Sequence, residues 1–197
     1  MKIACITTSQ IPSRTANSIQ VMKVCQAFKQ CGQEIKLWLP LFRTADWIEL
    51  KELYGLQEEF SIEWLPFNPL LKQYDFCWRA LGSAKKWGAD VIYTWALQCA
   101  VFAQCNKLPT VMEFHDFPMG ILGPHLFRRY IRSQKNSISL TTTAALARGL
   151  EQRYHFTFQP GALQIAPNGT EPERYAHLSL PPQARQQLGL MEALTVG

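Results

Sequence analysis

The chain has 197 residues, enough for one α/β domain with a sizeable core. Hydrophobic residues make up 47% and charged residues 18%, a balance that excludes a disordered chain. The net charge of +5 suits an anionic ligand or membrane surface, but without a recognition motif it is too small to argue for nucleic acid.

Lys2–Thr8 (KIACITT) reads as a buried strand, followed by a polar loop, Ser9–Asn17. From Ser18 a helix is expected, because Val21, Val24, Cys25 and Phe28 form the apolar stripe of an amphipathic helix. Gly32 is its natural stop. Glu34–Leu39 reads as a second strand, ended by Pro40. Strand, helix and strand make a βαβ unit, whose crossover is right-handed. The pattern then repeats. Helices are expected at Trp47–Tyr54, Gln73–Trp87, Ala96–Gln104, within Leu122–Ser133, and at Thr143–Tyr154. Strands are expected at Ser61–Leu65, Asp90–Thr94, Thr110–Phe114, Ser137–Thr141 and Leu163–Ala166. Such alternation predicts a Rossmann-like α/β fold, a parallel sheet with helices on both faces, over residues 1–180. Pro181-Pro182 introduces a polar helix, Gln183–Leu188, and Leu194–Gly197 resembles the start of a strand. Residues 181–197 therefore read as a linker and the start of a further domain, cut from something longer; the alternative is a frayed terminus.

Six cysteines, Cys5, Cys25, Cys31, Cys77, Cys99 and Cys105, form no Cys-x-x-Cys pair, and no histidine lies at finger-like spacing. They are expected to be reduced thiols packed in apolar surroundings, with no metal site. No signal peptide is visible, and no stretch approaches the ~20 apolar residues of a membrane span. A cytoplasmic chain is expected, at most peripheral at the inner face of the membrane.

Ligands of open parallel sheets bind at the C-terminal ends of the strands, near the switch point of strand order. Four segments should meet there. The first loop feeds a helix N-terminus, which suits phosphate, and Arg14 adds directional donors. The alternative is an ordinary helix start capped by Asn17 or Ser18. No Gly-x-Gly-x-x-Gly is present, which argues against a dinucleotide cofactor. In the second segment, Glu113–Pro118, His115 and Asp116 leave the sheet at its ligand edge. His115 can donate to a hydroxyl or exchange a proton, and Asp116 can accept from a hydroxyl. Alternatively, Asp116 makes an Asx-turn and His115 packs. Glu113 is either an exposed edge residue or a buried, hydrogen-bonded carboxylate. In the third, Thr141-Thr142-Thr143, Thr142 is a candidate ligand contact, or Thr142 or Thr143 caps a helix. In the fourth, Asn168-Gly169 is a turn after a strand, placed to meet a cleft between domains. Separately, Arg128, Arg129, Arg132 and Lys135 form a basic helical face. It suits either an anionic lipid surface or plain solvation.

In this order the motifs resemble family 4 of the retaining glycosyltransferases, enzymes of the GT-B fold. The resemblance rests on SQIPSRTANSIQVMKVCQAF, DVIYT, VMEFHDFP, TTTAALARGLEQRY and IAPNGTEPERY, and spans nearly the whole chain. It implies the N-terminal, acceptor-side half of a two-domain enzyme whose C-terminal half holds the nucleotide. It implies sugar transfer from a nucleotide-sugar donor to a glycan or lipid-linked acceptor, with retained configuration, no metal and no other cofactor. His115 then corresponds to the histidine that contacts the donor sugar. The loop around Ser13, Arg14, Asn17 and Ser18 would approach the donor phosphates or the acceptor. Many relatives carry a Gly-Gly pair in this loop, and this chain has none. A chain without its donor-binding half is expected to be inactive. The competing readings are a sugar-nucleotide epimerase on the same fold and a non-catalytic module that binds a glycan or a partner protein.

Overall fold

The computed structural model describes residues 1–169, 176 and 178–190. Two compact units are distinguished, Met1–Pro167 and Asn168–Gly197. The strand start expected at 194–197 lies outside the described residues.

The first unit is built on seven parallel strands: β1 (Lys2–Ile6), β2 (Glu34–Pro40), β3 (Ser61–Leu65), β4 (Val91–Thr94), β5 (Thr110–Phe114), β6 (Ser137–Thr141) and β7 (Leu163–Ile165). Their order is β3-β2-β1-β4-β5-β6-β7. The order therefore reverses between β1 and β4, where Ile6 pairs with Thr94 and the two strands end together. Six helices connect them: α1 (Ala16–Gln30), α2 (Trp47–Tyr54), α3 (Tyr74–Trp87), α4 (Leu97–Cys105), α5 (Gly123–Arg132) and α6 (Ala144–Tyr154). This is the Rossmann-like α/β architecture that the alternation predicts.

Alternation along each strand divides the core between the two faces of the sheet. Ile3, Cys5, Leu37 and Leu39 meet Val21, Met22 and Cys25 of α1 and Leu50 and Tyr54 of α2. Ala4, Ile6, Trp38 and Ile92 point the other way, onto Phe76 and Ala80 of α3 and Cys99 of α4. Met112 and Phe114 meet Phe127 and Tyr130 of α5 and Leu150 and Tyr154 of α6 on that same side. Both faces are thus closed by amphipathic helices. Each fully buried Leu, Ile or Phe contributes roughly 1.5–3 kcal/mol.

Local differences from the sequence reading have local causes. β1 ends at Ile6, because Thr7 and Ser9 bond each other through their hydroxyls at 2.8 Å and open the loop. α1 begins two residues early, at Ala16, and its cap is Thr15, not Asn17 or Ser18. Ser18 cannot cap because its own hydroxyl lies 2.7 Å from the Ser13 carbonyl and 2.8 Å from that of Thr15. Gly32 stops this helix at φ 74°, in the left-handed region that glycine adopts without strain. α3 starts at Tyr74, since Gln73 takes a positive φ of 64°. Lys135 lies beyond α5, which ends at Arg132, so it does not extend that helix's basic face. All six cysteines are free; Cys5, Cys25, Cys77 and Cys99 are buried as expected, but Cys31 and Cys105 are exposed near helix ends.

In the second unit, α7 (Pro181–Gln187) starts at Pro181 itself, a residue whose fixed φ suits the first helical position. No helix among the described residues is long and apolar enough to cross a membrane.

Candidate functional site

The site grows from the α1-facing side of β5. Val111 lies on that face, and period-two alternation puts Glu113 and His115 there with it. Glu113 is a buried, hydrogen-bonded carboxylate, only 4% exposed. One of its oxygens lies 2.7 Å from His115 Nε2. The other accepts the hydroxyl of Tyr93, which stands on the neighbouring strand β4. The Gln20 side chain, one turn into α1, bonds the same carboxylate. Helix α1 and strands β4 and β5 are thereby tied together beside the switch point.

The electrostatics follow from these bonds. Burial alone would raise the Glu113 pKa, but hydrogen bonds from His115, Tyr93 and Gln20 and the His115 charge outweigh it and hold it below the usual value. Tyr93 is pushed up, first by burial, then by the charge of and hydrogen bond to Glu113. The phenol therefore remains a donor at neutral pH. The Trp95 ring packs edge-on against Tyr93 at 4.9 Å, and its buried indole nitrogen has no hydrogen-bond partner among the described residues.

The chain leaving β5 is anchored to the opposite side. Phe117 lies against Gly149 of α6, where an added Cβ would come within 2.7 Å of the ring. The Arg153 guanidinium sits over the same ring at 5.2 Å, and the Tyr154 hydroxyl donates to the Pro118 carbonyl at 3.0 Å. These contacts fix the segment that carries His115. The His115 side chain keeps 32% of its accessible surface.

Asp116 is exposed, and its carboxylate accepts the Phe117 N–H at 2.7 Å, one residue on rather than the two of an Asx-turn. It makes no bond to His115. In the first loop, Tyr54 of α2 clamps Ser13, accepting its N–H and donating to its carbonyl, both at 2.8 Å. The Ser13 and Ser18 hydroxyls are 3.0 Å apart, and Asn17 donates to Ser9 at 2.7 Å. The loop is thus held by its own hydroxyl network rather than by glycines. Arg14 is exposed and pairs with no acid among the described residues. Thr143, not Thr142, caps α6, bonding the Leu146 N–H at 3.1 Å. Thr142 is half-buried at the end of β6, and Asn168 and Gly169 are exposed in the second unit.

Around the same strand ends, the loops after β3, β4 and β5 enclose a pocket of about 290 Å³. Lys72, Tyr74, Leu97 and Gln98 line one side of it and Met119–Leu122 the other. Met119, Ile121 and Leu122 are exposed, at 71%, 89% and 53%. Among the described residues no three His, Cys, Asp or Glu side chains converge as a metal site.

No family model matches the chain. No curated protein matches it by sequence. Solved structures do match it in fold. Anabaena HepE, in complex with UDP and glucose, is 16% identical, with a TM-score of 0.62 over 96% of this chain and 50% of that one. Sucrose-phosphate synthase from Thermosynechococcus elongatus is 15% identical, with a TM-score of 0.65 over 96% of this chain and 53% of that one. UDP-GlcNAc 2-epimerase from Methanocaldococcus jannaschii is 13% identical, with a TM-score of 0.57 over 85% of this chain and 46% of that one. The chain spans about half the length of each. Its architecture is that of the Rossmann-like domains of GT-B proteins.

Proposed function

We propose that this chain is the acceptor-side half of a retaining, metal-independent glycosyltransferase of the family 4 kind. It would take a sugar from a nucleotide-sugar donor and pass it to a glycan or lipid-linked acceptor. The observation that carries the reading is His115, held at the C-terminal end of β5 beside the switch point and anchored to the buried Glu113. In this reading His115 holds a hydroxyl of the donor sugar while positive charge develops at the anomeric carbon. The first loop, with Arg14 and the N-terminus of α1, faces the phosphates or the acceptor. The apolar rim of Met119, Ile121 and Leu122 favours an acceptor with an apolar portion, or a peripheral membrane contact. A second domain would hold the nucleotide and neutralise the leaving diphosphate.

The test is transfer of labelled sugar from a panel of nucleotide sugars. This chain alone should not turn over, and the chain joined to a donor-binding half should transfer sugar only when acceptor is present. Interconversion of the nucleotide sugar without an acceptor would favour the epimerase reading, which the likeness to UDP-GlcNAc 2-epimerase keeps in view. Robust transfer by this chain alone would contradict the division of labour.

A further inference from the structure

His115 meets Glu113 through Nε2, the ring nitrogen farther from the backbone. The imidazole is therefore folded back onto its own strand, and Nδ1 is the nitrogen left for a ligand. The arrangement resists change. Glu113 is buried, its second oxygen is taken by Tyr93, and Gln20 holds the carboxylate from α1. An ionised carboxylate only accepts, so the proton of the shared bond belongs to Nε2. In a neutral ring Nδ1 is then a bare lone pair.

We propose that Glu113 is a positioning residue that fixes His115 as its Nε2–H tautomer, so that Nδ1 accepts a hydrogen bond from a hydroxyl of the ligand. The sequence alone allows His115 to donate to a hydroxyl or to exchange a proton; with Nε2–H engaged by Glu113, the free nitrogen of the neutral ring is an acceptor instead. The consequence is selectivity. A sugar hydroxyl can donate to Nδ1, whereas a phosphate oxygen presents lone pair to lone pair and is repelled. Phosphates are better served by the start of α1 and by Arg14, which is exposed and pairs with no acid among the described residues. His115 thus reads the sugar portion of a donor rather than its diphosphate. The identity of that ligand rests on the glycosyltransferase reading above; the tautomer does not. The depressed Glu113 pKa agrees with a carboxylate that stays ionised beside the ring.

The experiment is a ¹H–¹⁵N multiple-bond correlation spectrum of the ¹⁵N-labelled chain, at a pH where imidazoles are neutral. The His115 signals are assigned by difference from His115→Ala. The expected result is a single Nε2–H pattern for the unaltered chain. A mixture of both tautomers is expected in Glu113→Met, which fills the space and offers only a weak, uncharged sulfur acceptor. An unaltered ring that is Nδ1–H, or that shows both tautomers, overturns the proposal, and this measurement needs only the His115→Ala reference to fold. UDP-glucose and UDP are then added at saturating concentration to the labelled chain joined to a donor-binding half. Nδ1 should shift with UDP-glucose and stay in place with UDP. An equal shift with UDP overturns the hydroxyl assignment. No response to either overturns that assignment and the donor-sugar reading together, and leaves the tautomer result and the role of Glu113 standing.

Discussion

Truncating Glu113 to alanine isolates what the buried network contributes. The side chain is 4% exposed and accepts bonds from Tyr93, His115 and Gln20. Removing it leaves the Tyr93 hydroxyl, on a residue only 7% exposed, without its acceptor, which costs about 1–3 kcal/mol. His115 keeps 32% of its side-chain surface and can turn to water, so its loss adds little. Relief of the buried charge's desolvation offsets part of the cost, and the small void left behind restores some of it. The expected sum is about 1–3 kcal/mol, or roughly 2–12 °C in Tm for a chain of this size. Tyr93→Phe should cost about 1 kcal/mol, and His115→Ala less. The pH dependence has a definite sign. Glu113 binds its proton less readily folded than unfolded, so its contribution is complete above the unfolded-state value of about 4.3 and is lost as pH falls through the lower folded-state value. Glu113→Gln should remove that part of the acid slope. Urea unfolding followed by circular dichroism, at neutral and acid pH, measures all four variants. A Glu113→Ala variant as stable as His115→Ala, with an unchanged acid slope, would refute the reasoning.

The remaining predictions concern other parts of the molecule. A thiol reagent should label Cys31 and Cys105 in the native chain and the four buried cysteines only on unfolding; rapid labelling of Cys5, Cys25, Cys77 or Cys99 would contradict the packing. Gly149→Ala should lose about 1–3 kcal/mol, because the new Cβ overlaps the Phe117 ring. It should also perturb His115 signals across the sheet end; a neutral substitution would show that Phe117 yields freely. If Arg128, Arg129 and Arg132 contact lipid, binding to acidic vesicles should weaken with salt. Equal, negligible binding to acidic and neutral vesicles would leave that face simply solvated.

The order of elements was readable because strands and helices differ in hydrophobic period and are punctuated by Gly32 and Pro40. β5 and β6 fall at the expected bounds for that reason. The helix start at Thr15 was not readable, since Thr15, Asn17 and Ser18 all carry capping side chains. Only the turn of Ser18 toward the Ser13 carbonyl decides among them. His115 was legible as the polar residue leaving a buried strand. Its partners were not. Tyr93 and Gln20 reach Glu113 only through the β4–β5 register and the packing of α1. One signal was present: Glu113 and His115 are two apart, hence on one face, and a buried carboxylate demands donors. Gly149 gave no signal, because the residue it accommodates lies 32 positions earlier.

The central claim is that His115 acts on the donor sugar rather than on the fold. It is tested by comparing His115→Ala with the unaltered chain, each joined to a donor-binding half, for kcat/KM of sugar transfer and for the unfolding midpoint. The account predicts a loss of about ten- to a thousandfold in kcat/KM, the scale of one positioned hydrogen-bonding group, with the midpoint nearly unchanged. Full activity in the variant, or failure to fold, would contradict it.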